Sequence, residues 1–116
     1  MEDYQGAFAD FSEAIRSQSG FADAYNGRGW VKYRLSDHSG AIRDFDEAIR
    51  LQSNAPDTYD GRGLVKFQLG KYQDAISEYQ EAFRFYEQQG NVEKYFELLN
   101  WTVTSFCYVL PPVLSS

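Results

Sequence analysis

The amino-acid sequence predicts an all-α protein built as a right-handed solenoid of helical hairpins. A shift of 34 residues lays segment 6–16 on segment 40–50, and the same shift lays 25–35 on 59–69. Within each copy the apolar residues recur at the three- and four-residue spacing of one helix face. A fixed period of this length is typical of stacked helix-turn-helix units, each of which buries its apolar face against its neighbours.

Breakers between the apolar runs divide each unit into two helices. Gly70 follows one run, and Ser36 lies in the same position one period earlier. Pro56 suits the first turn of a helix, where its missing N–H would have no partner in any case, and Gly90 is expected to end the fifth helix. Helices are therefore predicted at 3–18, 22–35, 38–52, 56–69 and 72–89.

A sixth helical segment is predicted to begin near Asn91. Its end is left open, because the β-branched residues at 102–104 lower helix propensity, whereas Pro111 ends any helix. One domain, 1–110, accounts for the whole pattern. We divide it into a half repeat at 3–20, complete repeats at 21–54 and 55–90, and a C-terminal capping helix at 91–110, followed by a tail at 111–116.

The composition excludes several function classes. A formal net charge of −6 argues against nucleic acids and anionic membranes as partners, because both attract clustered Lys and Arg. One cysteine, Cys107, and one histidine, His38, can form neither an internal disulfide nor a four-ligand zinc site. The sequence shows neither a secretory signal nor an apolar run of membrane-spanning length. We expect a cytoplasmic protein without a cofactor, and a basic or neutral protein partner.

Small and aromatic residues recur at fixed places in the repeat. The two complete copies share an aromatic residue, a glycine, an alanine, a second aromatic residue and a second alanine, which are Tyr25, Gly29, Ala41, Phe45 and Ala48 in one copy and Tyr59, Gly63, Ala75, Tyr79 and Ala82 in the next. With the 34-residue period, this pattern resembles the tetratricopeptide repeat over residues 3 to about 90. The resemblance implies paired helices that approach closely at the small residues.

One departure from the family pattern recurs in both copies. Arg28 and Arg62 stand where leucine is usual. A ligand carboxylate or phosphate could explain the arginines, but we favour a structural role, because acidic residues recur with the same period on the companion helices. Arg28 is expected to pair with Asp10 or Asp44. Arg62 is expected to pair with Asp44 or Glu78. Both pairs would clamp neighbouring helices.

Candidates for catalysis are weak throughout the sequence. His38 falls in a hairpin turn, where packing at the surface is the favoured role. Cys107 has no His or Lys close in sequence to activate its thiol. The glycines at 27–29 lack the following Gly-Lys-Ser/Thr of a phosphate loop and fall within a predicted helix. We therefore predict a protein that is not an enzyme.

The resemblance also implies where a partner binds. In this family the first helix of each hairpin lines a concave groove that takes an extended peptide or a partner helix. Members that grip acidic chaperone tails carry asparagine where this chain has Trp30 and Leu64, so an apolar or aromatic-anchored segment is expected instead. Trp30 is the strongest candidate anchor, although Trp30 and Tyr33 could merely pack on adjacent helices. The implied groove residues are Asn26, Trp30, Tyr33, Arg34, Asp60, Leu64, Phe67 and Gln68.

Both ends of the array favour self-association. The first copy begins at its second helix, so Phe8, Phe11 and Ile15 lack a companion first helix within this sequence. The C-terminal segment carries more apolar residues than one helix face needs, including Trp101 and Phe106. One end could cover the other in a second copy, or like ends could pair about a two-fold axis. The alternatives are that this segment folds back on its own array, or that the sequence is a fragment of a longer protein.

Two function classes follow from these features. The first is an adaptor that binds a peptide or helix of another protein in its groove. The second is a self-assembly module that forms a homodimer through its terminal helices. A regulatory piece of a larger enzyme is a third alternative.

Overall fold

The computed structural model describes residues 3–17 and 21–109, with side chains described through residue 105, and these residues form six α-helices without a strand. Each helix packs against the next one along the chain, and α2 also touches α4. The all-α solenoid predicted from the sequence is confirmed. The helices are α1 (Tyr4–Ser17), α2 (Ala22–Arg34), α3 (His38–Leu51), α4 (Pro56–Gln68), α5 (Tyr72–Gln88) and α6 (Val92–Val109).

The helix ends lie within one residue of the predicted positions, because the local sequence determines them. Ser36, Gly70 and Gly90 follow α2, α4 and α5 with positive φ angles of 66°, 79° and 68°. This left-handed conformation ends a helix, and glycine adopts it without steric cost. Asp37 caps α3 by accepting a hydrogen bond from the Gly40 amide at 3.0 Å, and Pro56 opens α4.

Aromatic rings from the second helix of each hairpin fit against glycines on the first helices. A Cβ atom on Gly29 would lie 2.7 Å from the Phe45 ring, and one on Gly61 would lie 2.6 Å from the same ring. Phe45 therefore occupies a gap between α2 and α4 that exists only because both positions lack a side chain. The ring is fully buried, and burial of this kind stabilises a fold by roughly 2 to 3 kcal/mol. The same relation recurs one period later, where a Cβ on Gly63 would lie 2.8 Å from Tyr79.

The sixth helix occupies the place of the first helix of a further hairpin. A second shift of 34 residues lays Leu98 on Leu64 and Trp101 on Phe67. In the structure α6 packs against α5, Leu98 is buried, and the Trp101 ring centroid lies 5.2 Å from that of Phe67. The helix continues through the β-branched residues, where the Thr102 hydroxyl donates a hydrogen bond to the Leu99 carbonyl at 2.9 Å.

Two arginine side chains act as clamps, and each of them connects three helices. Arg28 on α2 donates to both carboxylate oxygens of Asp44 on α3 at 2.8 and 2.9 Å, and its third nitrogen donates to Ser12 on α1 at 3.3 Å. Lys32 adds a second cation 3.1 Å from Asp44. The predicted pairing of Arg28 with Asp44 is confirmed. The alternative pairing with Asp10 is wrong, because Ser12 lies where the guanidinium reaches α1.

The second clamp repeats this arrangement one period later. Arg62 on α4 donates to both carboxylate oxygens of Glu78 on α5, with its Nη2 at 2.9 Å, and to Asp46 on α3 at 2.7 Å. Lys66 lies 2.8 Å from Glu78. The predicted pairing with Glu78 is confirmed, whereas the alternative with Asp44 is wrong, because Asp46 takes that place.

Burial makes the second clamp worth more than a surface ion pair. The Glu78 side chain is 7% exposed and that of Arg62 is 20% exposed. Burial alone would raise the pKa of Glu78, but the hydrogen bonds and charges of Arg62 and Lys66 outweigh it and hold the pKa below its ordinary value. A lowered carboxyl pKa stabilises the fold at neutral pH, and this contribution is lost as the pH falls through the lowered value.

We predict that Arg62→Ala lowers the free energy of unfolding by about 2 kcal/mol, because it leaves two carboxylates without their shared guanidinium. Arg50→Ala is the matched control. Among the described residues Arg50 forms an ion pair with Glu47 one turn away, at an exposed position, so its loss should cost no more than about 0.5 kcal/mol. Urea unfolding of both variants measures the difference. Similar losses in the two variants would contradict a structural role for the buried clamp.

Candidate functional site

A cavity of about 200 Å³ opens between α4 and α6, with α5 beneath it and α2 at one end. Its walls combine aromatic rings, aliphatic side chains and charged groups. It lies on the side of the array formed by the first helices of the hairpins, which is the side on which the groove was predicted. The residues that line it are Trp30, Asp57, Asp60, Leu64, Tyr79, Tyr86, Lys94, Glu97, Leu98 and Trp101.

Trp30 serves both the core and the cavity. Its ring packs edge-on against Phe45, with centroids 5.7 Å apart, and against Tyr33 at 6.2 Å. Its indole Nε1 donates a hydrogen bond to Asp57 Oδ2 at 3.1 Å. The indole is half-buried and still contributes a wall of the cavity. The packing of Trp30 on adjacent helices, one of the two alternatives from the sequence, is thus observed, and that Trp30 anchors a partner stays a prediction.

A polar network fixes the end of the cavity at α2. Asn26 donates to Asp57 Oδ2 at 2.8 Å and accepts from the Thr58 hydroxyl at 3.0 Å. The same Asp57 oxygen accepts the Trp30 indole N–H. These bonds connect α2 to the first turn of α4 and hold Trp30 in one orientation.

The eight predicted groove residues fall into three groups. Trp30, Asp60 and Leu64 line the cavity, and Asn26 borders it through Asp57. The second group packs against other rings. Tyr33 contacts His38, and Phe67 contacts Tyr72 and Trp101. Arg34 and Gln68 are exposed at the ends of their helices, outside the lining of the cavity. That the first group binds a partner stays a prediction.

Several cavity residues on α6 were not predicted from the sequence to line the groove. They lie two periods after predicted groove residues of α2, so a further shift by 34 residues is the signal that would have found them. The shift lays Lys94, Leu98 and Trp101 on the positions of Asn26, Trp30 and Tyr33.

Three further cavity residues carry weaker signals. Asp57 lies one period after Asp23, but an acidic residue in the first turn of a helix is common and does not indicate a binding site. Tyr86 and Glu97 have Gln52 and Gly63 one period earlier, so the repeat gives no indication of either. Their place in the cavity follows only from the packing of α5 and α6.

The residues predicted to form an oligomer interface have mixed positions. Trp101 packs inside its own molecule, 5.2 Å from Phe67 and 5.3 Å from Tyr79 between ring centroids, and faces the cavity. Phe8, Phe11 and Ile15 are half-buried, and the Phe11 ring contacts Gly27 on α2. The Phe106 side chain lies outside the described part of the chain, as does that of Cys107.

The carboxyl group of Asp60 in the cavity is perturbed by its surroundings. Burial, together with the neighbouring charge of Asp57, raises its pKa to about 6, and Lys94 offsets only part of this effect. Burial also raises the pKa of Tyr86, with the charge of Asp60 adding to the effect. Asp60 forms no hydrogen bond or ion pair with any described residue of the chain. The charge of Asp60 is therefore only partly compensated within a cavity of aromatic, aliphatic and charged side chains.

Other kinds of site are not found in the part of the chain that the structure describes. No group of three or more His, Cys, Asp or Glu side chains in that part could hold a metal ion. None of the helices within residues 3–17 and 21–109 combines the length and apolar character needed to cross a bilayer. The His38 ring packs against Tyr33 with centroids 5.9 Å apart, in agreement with the predicted packing role.

Comparison with known families agrees with this geometry. Two tetratricopeptide repeat profiles match the sequence, one over residues 1–56 and the other over residues 56–89. The chain belongs to the tetratricopeptide repeat family. No curated protein matches it by sequence. The second profile ends before α6, so the sixth helix extends the tetratricopeptide array beyond its matched repeats.

Solved structures share this tetratricopeptide fold at low sequence identity. The TPR2B domain of yeast Sti1, in complex with an Hsp70 peptide, superposes with a TM-score of 0.80 at 20% identity, covering 84% of this chain and 78% of that one. The second tetratricopeptide domain of Spaghetti (RPAP3), bound to the HSP90 peptide SRMEEVD, gives 0.68 at 20% identity, covering 71% and 76%. The MamA structure gives 0.70 at 24% identity over 76% of this chain and 52% of that one. This chain thus spans about half the length of MamA.

We predict that Asp60→Asn stabilises the fold at neutral pH by about 1 to 2 kcal/mol, less than the full pKa shift would give because the cavity is open to water. The folded-state pKa of about 6 lies above the ordinary 3.8, so the ionised carboxyl disfavours folding above that pKa. The advantage of the variant should shrink as the pH falls from about 6 towards 4.

Urea unfolding at a series of pH values measures this prediction. Asp10→Asn is the matched control, because Asp10 is exposed near the middle of α1, away from the cavity. A stabilisation that is the same for both variants, or that does not change with pH, would contradict an unfavourable burial of the Asp60 charge.

Proposed function

We propose that this chain is an adaptor without catalytic activity, which binds a peptide or a helix of another protein in the cavity between α4 and α6. The observation that carries the proposal is the cavity itself, where aromatic and aliphatic side chains of four helices converge on a space of about 200 Å³. Buried aromatic anchors usually dominate the energy of protein interfaces. Trp30 and Leu64 are the residues we assign to the contact.

The comparisons support the same class of function. The Sti1 and Spaghetti domains hold peptides of Hsp70 and HSP90, so the fold is compatible with peptide capture. Trp30 and Leu64 stand where the sequence resemblance implies asparagine in the domains that bind acidic chaperone tails. From these neighbours we infer that the chain binds a protein segment, and we do not infer which segment it binds.

The chemistry of the cavity supports binding over catalysis. None of the described residues that line it is a serine, cysteine or histidine, so it holds no pair of a nucleophile and its usual base. Burial raises the pKa of Asp60 to about 6, and no nucleophile or histidine lies beside it among the described lining residues. A carboxylate in this setting contributes charge and hydrogen-bond acceptors to a ligand.

We predict that Leu64→Ala weakens peptide binding about tenfold or more, the loss expected from about 1.4 kcal/mol of apolar contact. The probe is the tightest dodecapeptide selected by display on the full chain, and its affinity is measured by calorimetry. Leu69→Ala is the matched control, because Leu69 directly follows the same helix, is 44% exposed and does not line the cavity. Equal effects of the two substitutions would contradict binding in the cavity.

A second candidate function, self-assembly, is favoured by an apolar stripe on α6. Val92, Phe96, Leu99 and Val103 follow one another at helical spacing and are 60%, 58%, 38% and 58% exposed. One period earlier, Phe96 corresponds to Arg62, which pairs with Glu78 on the second helix of its hairpin. The stripe is thus the face on which such a second helix would pack. We propose that the α6 stripe of a second copy covers it.

Charge favours this pairing of like ends over a head-to-tail stack. Head-to-tail stacking would place α6 against α1 as α2 lies against α3, with Asp10 in the position of Asp44. Phe96 and Asn100 stand where Arg28 and Lys32 supply the cations of the clamp. Asp10 would then meet an apolar ring and an amide, whereas pairing of two α6 stripes buries apolar surface on both sides.

We predict a dimer that Phe96→Asp dissociates, because the substitution places a charge within the apolar stripe. Light scattering after size exclusion, over a range of protein concentrations, measures the mass. Phe21→Asp is the matched control, since Phe21 is 44% exposed and lies outside the stripe. A monomer at high micromolar concentration would refute self-assembly, and a dimer dissociated by Phe11→Asp instead would favour head-to-tail stacking.

A further inference from the structure

We infer that the cavity between α4 and α6 receives a basic side chain, so that the bound segment carries a lysine or arginine flanked by apolar residues. This inference rests on the proposed function, since it names the chemistry of the partner at the same site. It is carried by three features of the described residues, which are an unpaired carboxylate, the sign of the surrounding charge and the aromatic walls.

The first feature is the contrast between Asp60 and the other buried carboxylates. Asp44 lies against Arg28 and Lys32, and Glu78 lies against Arg62 and Lys66. Asp60 has no cation or hydrogen-bond donor in contact with it among the described residues. A partly buried carboxylate is costly unless it is paired. The missing cation can come from a partner.

The second feature is the charge around the cavity. Asp57, Asp60 and Glu97 contribute three carboxylates, and Lys94 contributes the one cation among the described residues that line it. The Lys94 ammonium lies 3.3 Å from Glu97 and forms an ion pair with that carboxylate. Asp57 is held by two neutral donors, the Asn26 amide and the Trp30 indole. The cavity therefore keeps an excess of negative charge, which attracts a cation and repels an acidic segment.

The third feature is the lining of the cavity. A lysine or arginine side chain has an apolar stem and a charged end, and it buries the stem where the end can reach a polar group. Leu64 and Leu98 offer apolar contact for the stem, and the rings of Trp30 and Tyr86, a kind of group that attracts cations, line the same space. About 200 Å³ is below the usual size of a small-molecule pocket and is suited to one anchoring side chain of the bound segment.

The basic segment inferred for this cavity is opposite in charge to the peptide that a structural neighbour binds. The Spaghetti domain binds the HSP90 peptide SRMEEVD, in which acidic residues precede the C-terminus. An acidic side chain in the present cavity would lie beside Asp60 without a free cation to receive it. The net charge of −6 acts in the same direction over longer distances.

Acid should weaken the interaction, because it removes the charge of Asp60. That carboxyl is ionised above its pKa of about 6 and neutral below it, so capture of a cation should be strongest above pH 6. The titratable and charged groups that face it from the surrounding helices are Asp57 on α4, Tyr79 and Tyr86 on α5, and Lys94 and Glu97 on α6.

The test begins with a random dodecapeptide library displayed against the full chain at pH 7.5. We expect the selected peptides to be enriched in lysine or arginine next to apolar residues. The tightest peptide is then synthesised with its basic residue intact or replaced by glutamine, and both forms are titrated into the native chain, Asp60→Asn and the control Asp10→Asn.

Replacement of the basic residue should weaken binding to the native chain and to Asp10→Asn about tenfold, and should have little effect on Asp60→Asn. Affinity of the native chain for the basic peptide should fall between pH 7.5 and pH 5, and that of Asp60→Asn should not. Since Asp60→Asn is expected to be more stable than the native chain, loss of folding does not confuse the result.

The outcomes separate this inference from the proposed function. The selected peptides could be neutral or acidic, with binding that is weakened by Leu64→Ala and not by Leu69→Ala. This result would overturn the basic ligand while supporting the adaptor. An equal cost of the glutamine replacement in Asp60→Asn and in the native chain would overturn the basic ligand in the same way. If no selected peptide distinguishes Leu64→Ala from Leu69→Ala, both the adaptor and its basic ligand are wrong.

Discussion

Close approach of helices at glycine is the constraint on which the rest of the structure depends. Phe45 enters the space between α2 and α4 because Gly29 and Gly61 leave room for it. That distance between helices brings Arg28 within reach of Asp44 and brings Trp30 against the Phe45 ring. The clamps and the wall of the cavity are thus consequences of the same contact. A side chain at either glycine would move the helices apart and weaken both the Arg28–Asp44 clamp and the contact of Trp30 with Phe45.

The fold could be predicted in detail because its signals are local or periodic. The breakers at Ser36 and Gly70 determine helix ends through backbone conformation alone, and the 34-residue period determines which helix faces meet. The clamps were predicted only as a choice between carboxylates, since Asp10 and Asp44 repeat with the same period. The structure resolves the choice because each arginine pairs with the carboxylate 16 residues after it.

The cavity was harder to predict because it depends on the position of α6. Trp30, Asp60 and Leu64 follow from the repeat. Lys94 and Leu98 belong to a segment whose sequence no longer shows the glycines of the earlier copies, since Glu97 stands where Gly29 and Gly63 do. The raised pKa of Asp60 depends on burial by side chains from three other helices. The spacing of residues along the chain does not reveal this burial.

Phe96 has a consequence for how this array could be lengthened. Phe96 replaces the arginine of the earlier repeats. In those repeats the arginine of the first helix pairs with a carboxylate on the second helix, and α6 cannot form this ion pair. A copy of segment 38–51 grafted after α6 would bring a carboxylate equivalent to Asp44 against an apolar ring. A designer would have to restore arginine at position 96 or make the new helix apolar. At the sixth helix, the contact available to a following helix therefore changes from ionic to hydrophobic.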